Sequence, residues 1–159
     1  MKIRTGLGFD VHELKPGGPL ILGGVRIPSE VHADGHSDAD VLIHAICDAL
    51  LGAAGMRDIG FHFSNKDERW RNADSRIFLE QVAAMIRAEG WEVANVDCTV
   101  VLEAPKINPY VPEMQQVLTA ILGLEAGAVS VKATTNETMG YVGRREGINA
   151  FAAALITRA

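Results

Sequence analysis

Residues in the first third of the chain have the types and spacing of ligands for a divalent metal. The segment Phe9-Asp10-Val11-His12 follows residues in which apolar and polar types partly alternate, which predicts a strand. Side chains two positions apart on a strand point to the same face, so Asp10 and His12 would lie side by side. Two ligands are too few for tight metal binding, so a third is expected from His36 or His44.

The composition narrows the class of protein. The 159 residues carry a formal net charge of -5, which argues against a general nucleic-acid-binding protein. The length predicts a single domain over residues 1–159. There is no secretory signal pattern and no apolar run of about 18 residues, so we expect no membrane partner and a cytoplasmic location. Cys47 and Cys98 lie in apolar surroundings without CxxC spacing and are expected to be buried free thiols.

The apolar periodicity predicts an α+β fold, with a mixed β-sheet and helices packed on one face. Strands are expected over 1–12, on both sides of a Gly-Gly turn within 20–28, and over 91–102 and 129–135. Helices are expected from a cap at Ser37 or Asp38 to a stop at Gly52 and Gly55, from 73–75 to Gly90, and over 113–122. Loops are expected over 13–20, 29–35, 55–73 and 136–147. Residues 148–157 fit either a helix, from their alanine content, or a strand buried on both faces.

Two expectations concern the faces of these elements. Phe9 and Val11, on the face opposite Asp10, are expected to pack into the core. On the first helix, His44 shares a face with Asp40 and Asp48, which would place Asp48 to orient the His44 ring.

Seven sequence blocks occur in the order found in one enzyme family. The blocks are Phe9–His12, Gly23–Pro28, His36–Asp40, Asp48–Gly55, Asp58–Gly60, Ala104–Lys106 and Lys132–Glu137. Together they resemble the 2-C-methyl-D-erythritol 2,4-cyclodiphosphate synthases of the non-mevalonate isoprenoid pathway, over essentially the whole chain.

The resemblance implies a cyclisation of 4-diphosphocytidyl-2-C-methyl-D-erythritol 2-phosphate. The 2-phosphate attacks the β-phosphorus and CMP leaves. Because the nucleophile is an already ionised phosphate, metals and fixed donors are needed more than a strong base. Asp10, His12 and His44 match the zinc ligands of the family, and Glu137 matches a residue that holds a second metal, magnesium or manganese.

The resemblance also assigns substrate contacts. His36 and Ser37 match the methylerythritol phosphate end, Ala104 to Lys106 the cytosine pocket, and Thr134 with Thr135 the diphosphate. The residues with catalytic assignments are His36, Thr135 and Glu137. The substrate-binding positions are Asp10, His12, His36, Ser37, Asp58, Ile59, Gly60, Phe63, Asp67, Ala104, Pro105, Lys106, Thr134, Thr135, Asn136, Glu137, Tyr141 and Arg144.

Members of this family are homotrimers with active sites between subunits. In some of them the central cavity binds an isoprenoid diphosphate through the residue matching Arg144. This chain departs from the family pattern in the loop Phe63-Ser64-Asn65-Lys66-Asp67, usually Phe-Pro-Asp-Thr-Asp, and in Arg145 and Phe151. Two alternatives therefore stand beside the synthase: a zinc-dependent nucleotide-diphosphate hydrolase, and a catalytically impaired trimeric module that binds zinc or an isoprenoid diphosphate.

Overall fold

The chain forms seven strands and five α-helices, and a computed structural model describes all of residues 1–159. The strands are β1 (Lys2–Pro16), β2 (Leu20–Leu22), β3 (Val25–Ile27), β4 (Val31–Asp34), β5 (Glu92–Val101), β6 (Val129–Thr134) and β7 (Gly147–Arg158). The helices are α1 (Val41–Ala54), α2 (Ile59–His62), α3 (Ser75–Ala88), α4 (Val111–Leu122) and α5 (Gly140–Gly143). Single turns of 3-10 helix occur at Glu68–Trp70 and Asn108–Tyr110.

Five of the strands form one mixed sheet in the order β4-β1-β7-β5-β6. Strands β5 and β6 are parallel and the other neighbours are antiparallel. The remaining two, β2 and β3, form a hairpin around Gly23-Gly24, as predicted. Helix α1 packs across β1 and β7, and 39 buried residues form one hydrophobic cluster. The predicted α+β class with a mixed sheet is confirmed.

The contact between α1 and β1 is unusually close because two glycines lie beneath the helix. A Cβ atom on Gly8 would lie 1.8 Å from the carbonyl oxygen of Ala45, and one on Gly6 would lie 2.0 Å from that of Ala49. No side chain fits between these two backbones. The side chains of α1 are therefore held directly over the face of β1 that carries Asp10.

The same packing corrects the prediction about Phe9 and Val11. They face away from α1, and 46% and 44% of their respective surfaces are exposed in the single chain. The prediction was wrong because the glycines, not the larger apolar residues, mark the face that a helix can approach. The ring of Phe9 instead lies 5.0 Å from that of Phe151 on β7.

The predicted loops at 13–20 and 29–35 are also partly wrong. Strand β1 continues to Pro16, and its last four residues pair with β4, from Glu13 opposite Asp34 to Pro16 opposite Val31. Proline is compatible with this position because it ends a strand next to the sheet edge. Of the other two loops, 55–73 contains α2 and a 3-10 turn, and 136–147 contains α5.

The start of α1 differs from the prediction, whereas its end does not. Asp40 is the N-cap, and neither Ser37 nor Asp38 takes that role. The carboxylate of Asp40 is fully buried and accepts hydrogen bonds from the backbone N–H groups of Ile43, Gly23 and Gly24 at 3.0, 2.9 and 2.7 Å. It therefore joins the helix to the β2–β3 turn. The helix ends at Gly55 in a left-handed conformation, as expected, whereas Gly52, also predicted as part of the stop, lies inside the helix.

Residues 148–157, which fitted a helix or a strand, lie in β7 at the centre of the sheet. Ala150, Ala152 and Ala154 are buried beneath the helices, and the alternate position Phe151 is exposed, so the strand is buried on one face and not on both as expected. Small side chains suit this strand because it runs under α1 beside β1.

Cys47 and Cys98 are buried free thiols, as predicted, and burial raises the pKa of Cys98 to about 12. None of the helices has the length and apolar character needed to cross a membrane.

Candidate metal centre and cavities

Asp10, His12 and His44 form a compact triad where α1 crosses β1. The Oδ2 atom of Asp10 lies 2.9 Å from Nε2 of His12 and 3.0 Å from Nδ1 of His44. The two histidine nitrogens are 3.3 Å apart. One carboxylate oxygen and two imidazole nitrogens thus converge on one point, which makes the triad a site that could hold a divalent metal.

The hydrogen bonds behind the two rings favour this use. His12 donates its Nδ1–H to the carbonyl oxygen of Asp34 at 2.8 Å, which leaves the Nε2 lone pair directed at the triad. The Nε2 atom of His44 lies 2.9 Å from the hydroxyl of Ser75, and its Nδ1 faces Asp10. A neutral His12 ring therefore presents an unprotonated Nε2 to this point, and Nδ1 of His44 faces the same point.

The electrostatics of the triad keep Asp10 ionised. Burial works to raise its pKa, but hydrogen bonds from the rings of His12 and His44, when these carry a proton on the nitrogen that faces Asp10, outweigh burial and lower the pKa to about 2. Burial works to lower the pKa of His12, and the hydrogen bond and negative charge of Asp10 outweigh it, so that this pKa is raised. The carboxylate is thus negative at neutral pH, as a metal ligand must be.

The triad lies in a cavity of about 430 Å³. The lining residues are Asp10, His12, Gly35, His36, Ser37, His44, Ile59, Gly60, Phe63, Asn65, Trp70 and Phe78. Phe63 and Phe78 pack against each other with ring centroids 4.9 Å apart and form an apolar wall. His36 is held by donating its Nε2–H to the carbonyl oxygen of Asp67 at 3.0 Å.

Asp48 does not orient His44, contrary to the prediction. Its Oδ1 atom accepts the backbone N–H of Ile59 at 2.7 Å and so holds the start of α2. The partner of His44 is Ser75, a fully buried residue that sequence reasoning missed. The sequence signals only that Ser75 begins a helix after its Asp74 cap, and a contact over 31 positions leaves no local pattern.

A second cavity, of about 160 Å³, lies at the end of β5 and β6. It brings together four of the predicted substrate positions, Pro105, Lys106, Thr134 and Thr135. Glu137 comes two residues after Thr135 in the chain, and its carboxylate accepts a hydrogen bond of 3.4 Å from the Thr135 hydroxyl.

Glu103 was not predicted, yet it shapes the loop beside this cavity. Its Oε1 atom accepts the backbone N–H groups of Asn136 and Thr138 at 2.8 and 3.2 Å. These bonds hold the chain on both sides of Glu137, which has a positive φ of 50°.

The other predicted positions lie outside both linings. Asp58 caps α2, and Asp67 forms an ion pair with Arg69. The hydroxyl of Tyr141 donates to Asn149 at 2.5 Å, and Arg144 pairs with Glu146 at 3.0 Å. Ala104 lines a third cavity, of about 300 Å³, together with Pro105.

The two cavities are separate within one chain and share no lining residue. In the sheet, Asp10 is opposite Ala150, Ala150 is opposite Val100, and Val100 is opposite Ala133. Three strand spacings of about 4.8 Å put roughly 14 Å between the two sites. The structure therefore does not bring Glu137 or Thr135 to the triad.

A family model described as the YgbB family matches residues 3–157. The chain belongs to the YgbB family. Within that family it is 56% identical to a 2-C-methyl-D-erythritol 2,4-cyclodiphosphate synthase of Cytophaga hutchinsonii, over 99% of both chains. It is 57% identical to the synthase of Symbiobacterium thermophilum, over 95% of this chain and 96% of that one. The resemblance noted in the sequence is confirmed.

Solved structures of this family share the fold. The bifunctional IspDF of Campylobacter jejuni superposes with a TM-score of 0.95 at 39% identity, and this YgbB-family chain spans 99% of its own length and 43% of that longer protein. A CDP complex of IspF from Plasmodium falciparum gives a TM-score of 0.86 at 33% identity, over 98% of this chain and 96% of that one.

Proposed function

We propose that the chain is a 2-C-methyl-D-erythritol 2,4-cyclodiphosphate synthase, a phosphorus–oxygen lyase. It would convert 4-diphosphocytidyl-2-C-methyl-D-erythritol 2-phosphate to the cyclic diphosphate: an oxygen of the 2-phosphate bonds to the β-phosphorus, and the bond from that phosphorus to CMP breaks. The observation that carries the proposal is the Asp10–His12–His44 triad in the lining of a cavity, in a chain 56% identical over 158 residues to a protein of that name.

We propose zinc as the metal of the triad. A tetrahedral zinc ion with bonds of about 2.0 Å has ligand atoms about 3.3 Å apart, and three protein ligands leave its fourth position open. The three donor atoms here are separated by 2.9, 3.0 and 3.3 Å. When bound, zinc would polarise a phosphate oxygen and offset negative charge, which a chain with a net charge of -5 needs for a polyanionic substrate.

The protein's own residues would hold the substrate at two ends. His36 and Ser37 line the same cavity as the triad and would bind the methylerythritol phosphate. The second cavity, with Pro105, Lys106 and Thr134, would receive the cytosine and the diphosphate. Glu137 offers a carboxylate for magnesium or manganese, which prefer oxygen ligands. The catalytic assignments to His36, Thr135 and Glu137, and the substrate-binding set given above, belong to this proposal.

We also propose that the active form is a homotrimer, in which one subunit's triad meets a neighbour's second cavity. Roughly 14 Å separates the two sites within one chain, which leaves each of them incomplete. The sheet face opposite α1 supports association because it exposes Ile3, Leu7, Phe9, Val11 and Phe151. A trimer built on this face would enclose an apolar centre, and the resemblance implies that an isoprenoid diphosphate binds there through Arg144. Cytoplasmic location and the single-domain span of 1–159 stay predictions from the sequence.

The proposal is tested by following CMP release and the cyclic product when the purified chain is given the substrate. We expect equimolar CMP and cyclic diphosphate, loss of both on chelation, and recovery with zinc plus magnesium or manganese. His44→Ala should lose zinc and turnover, whereas His32→Gln should keep both, because the His32 ring hydrogen-bonds to the Gly17 carbonyl at the sheet edge and not to the triad.

The other outcomes separate the alternatives. Linear phosphate products would identify a zinc-dependent hydrolase. Zinc binding without turnover of the substrate would identify the impaired binding module. The Ser64-Asn65-Lys66 loop would then be the first region to test by mutation.

A further inference from the structure

We infer that Ser75, held by Asp38, is a positioning residue that fixes the tautomer and orientation of the His44 ring for metal binding. The inference rests on the proposed metal centre and adds to it a hydrogen-bonded chain that runs from Asp38 through Ser75 to His44. The chain joins the segment before α1 to the first residue of α3.

The direction of each hydrogen bond follows from the groups involved. Asp38 accepts the backbone N–H of Ser75 at 3.0 Å through Oδ2, and its Oδ1 is in contact with the Ser75 hydroxyl. A carboxylate can only accept, so the hydroxyl proton of Ser75 points to Asp38. The oxygen lone pairs of Ser75 are then left for His44, whose Nε2 lies 2.9 Å away.

This arrangement selects one tautomer of His44. A neutral imidazole carries one proton on its two nitrogens. If the Nε2–H donates to Ser75, the Nδ1 atom is unprotonated and its lone pair can bind a metal. That Nδ1 atom lies 3.0 Å from Oδ2 of Asp10, on the metal side. Metal-binding histidines usually donate their second N–H to a carboxylate or a carbonyl, and here a serine with a carboxylate behind it takes that place.

Burial makes Ser75 hard to replace. Its exposed fraction is 0%, so water has no access to the His44 Nε2–H from that side. Ser37 is the other hydroxyl nearby, at a longer 3.3 Å, and its oxygen already accepts the backbone N–H of Ala39 at 3.2 Å. Loss of the Ser75 hydroxyl therefore leaves His44 without its best acceptor.

The test is the zinc affinity of the full-length protein, measured by competition with a chromophoric chelator. Ser75→Ala should weaken zinc binding about 10- to 100-fold, the range seen when a residue that orients a metal ligand is removed. Ser75→Thr keeps the hydroxyl and should restore most of the affinity. Ser130→Ala is the control, because Ser130 lies on β6, away from the triad.

A second readout separates positioning from a general structural role. In the zinc-loaded protein, ¹H–¹⁵N correlation spectra of the histidine rings should show a slowly exchanging Nε2–H on His44. The proton should exchange faster in Ser75→Ala. If Ser75→Ala fails to fold, Ser75→Cys takes its place, since a thiol is close in size and a weak acceptor, and the same loss is expected.

The outcomes distinguish this inference from the function on which it rests. Unchanged zinc affinity in the Ser75 variants would overturn the positioning role and leave the metal centre standing. Failure of the unmodified protein to bind one zinc per chain, or full binding by His44→Ala, would remove the metal centre and the positioning role together.

Discussion

Gly8→Ala is expected to damage the fold and the metal centre together. The added methyl group would lie 1.8 Å from the carbonyl oxygen of Ala45, whereas ordinary contacts begin at 3.4 Å. The clash is with backbone on both sides, so it can be relieved only by moving α1 away from β1. Forced overpacking of this kind costs about 1–3 kcal/mol, and we expect the upper end here because no flexible side chain can give way.

The movement of α1 should also reach the metal. His44 directly precedes Ala45, and its Nδ1 lies 3.0 Å from the Asp10 carboxylate. Metal–ligand distances tolerate changes of only about 0.2 Å, so a retreat of the helix separates the ligands by more than a bound ion accepts. We therefore expect zinc affinity to fall along with stability.

The assay is urea unfolding of the zinc-free protein at fixed protomer concentration, followed by circular dichroism, with zinc affinity measured separately. A loss of about 3 kcal/mol at a slope of about 2 kcal/mol per molar lowers the midpoint by roughly 1.5 M. Gly52→Ala is the matched control, since this helical glycine is exposed, has nothing within 4 Å of a new Cβ, and should gain up to about 1 kcal/mol. A Gly8→Ala protein with the stability and zinc affinity of the parent would refute the backbone contact on which this reasoning depends.

Three further predictions concern other parts of the molecule. Cys47 and Cys98 should not react with Ellman's reagent until the protein is unfolded, because both are buried and the raised pKa of Cys98, about 12, keeps its thiol protonated; rapid labelling of the native protein would contradict this. Asp40→Ala should lower the free energy of unfolding by at least about 2 kcal/mol, since it leaves three backbone N–H groups without their acceptor, and an unchanged denaturation midpoint would argue against that role. Phe9→Asp should convert the proposed trimer to monomers in sedimentation experiments, because it places a charge on the apolar sheet face; a trimer that persists would locate the interface elsewhere.

Much of the fold could be predicted because its elements carry their own periodic signals. Strand β5 and helix α3 lie where the apolar pattern puts them, and the Gly-Gly hairpin and the Gly55 helix stop have local turn chemistry. Sequence reasoning failed where a contact with a distant part of the chain determines the local structure. Asp40 caps α1 in place of Ser37 or Asp38 because the β2–β3 turn presents two N–H groups to it.

The candidate site follows the same division. The types and spacing of Asp10 and His12 pointed to a metal, and the resemblance selected His44 as the third ligand over His36. Neither the residue spacing nor the resemblance could show that Ser75 lies behind His44, or that the Asp48 carboxylate accepts the backbone N–H of Ile59. Both contacts join separate segments of the chain. The prediction that Phe9 and Val11 face the core failed for another reason. The face of β1 that packs against α1 carries glycines, and a residue without a side chain gives no apolar signal in the sequence.

The placement of the triad across the α1–β1 contact has a consequence for folding. Asp10 and His44 are 34 positions apart in the chain, so an ion held between them would act as a cross-link that closes a long loop. Its binding energy would add directly to the stability of the folded chain, rising with free zinc concentration. Zinc withdrawal should then loosen this part of the molecule before the rest, and amide hydrogen exchange in α1 and β1 should report the metal content of the protein.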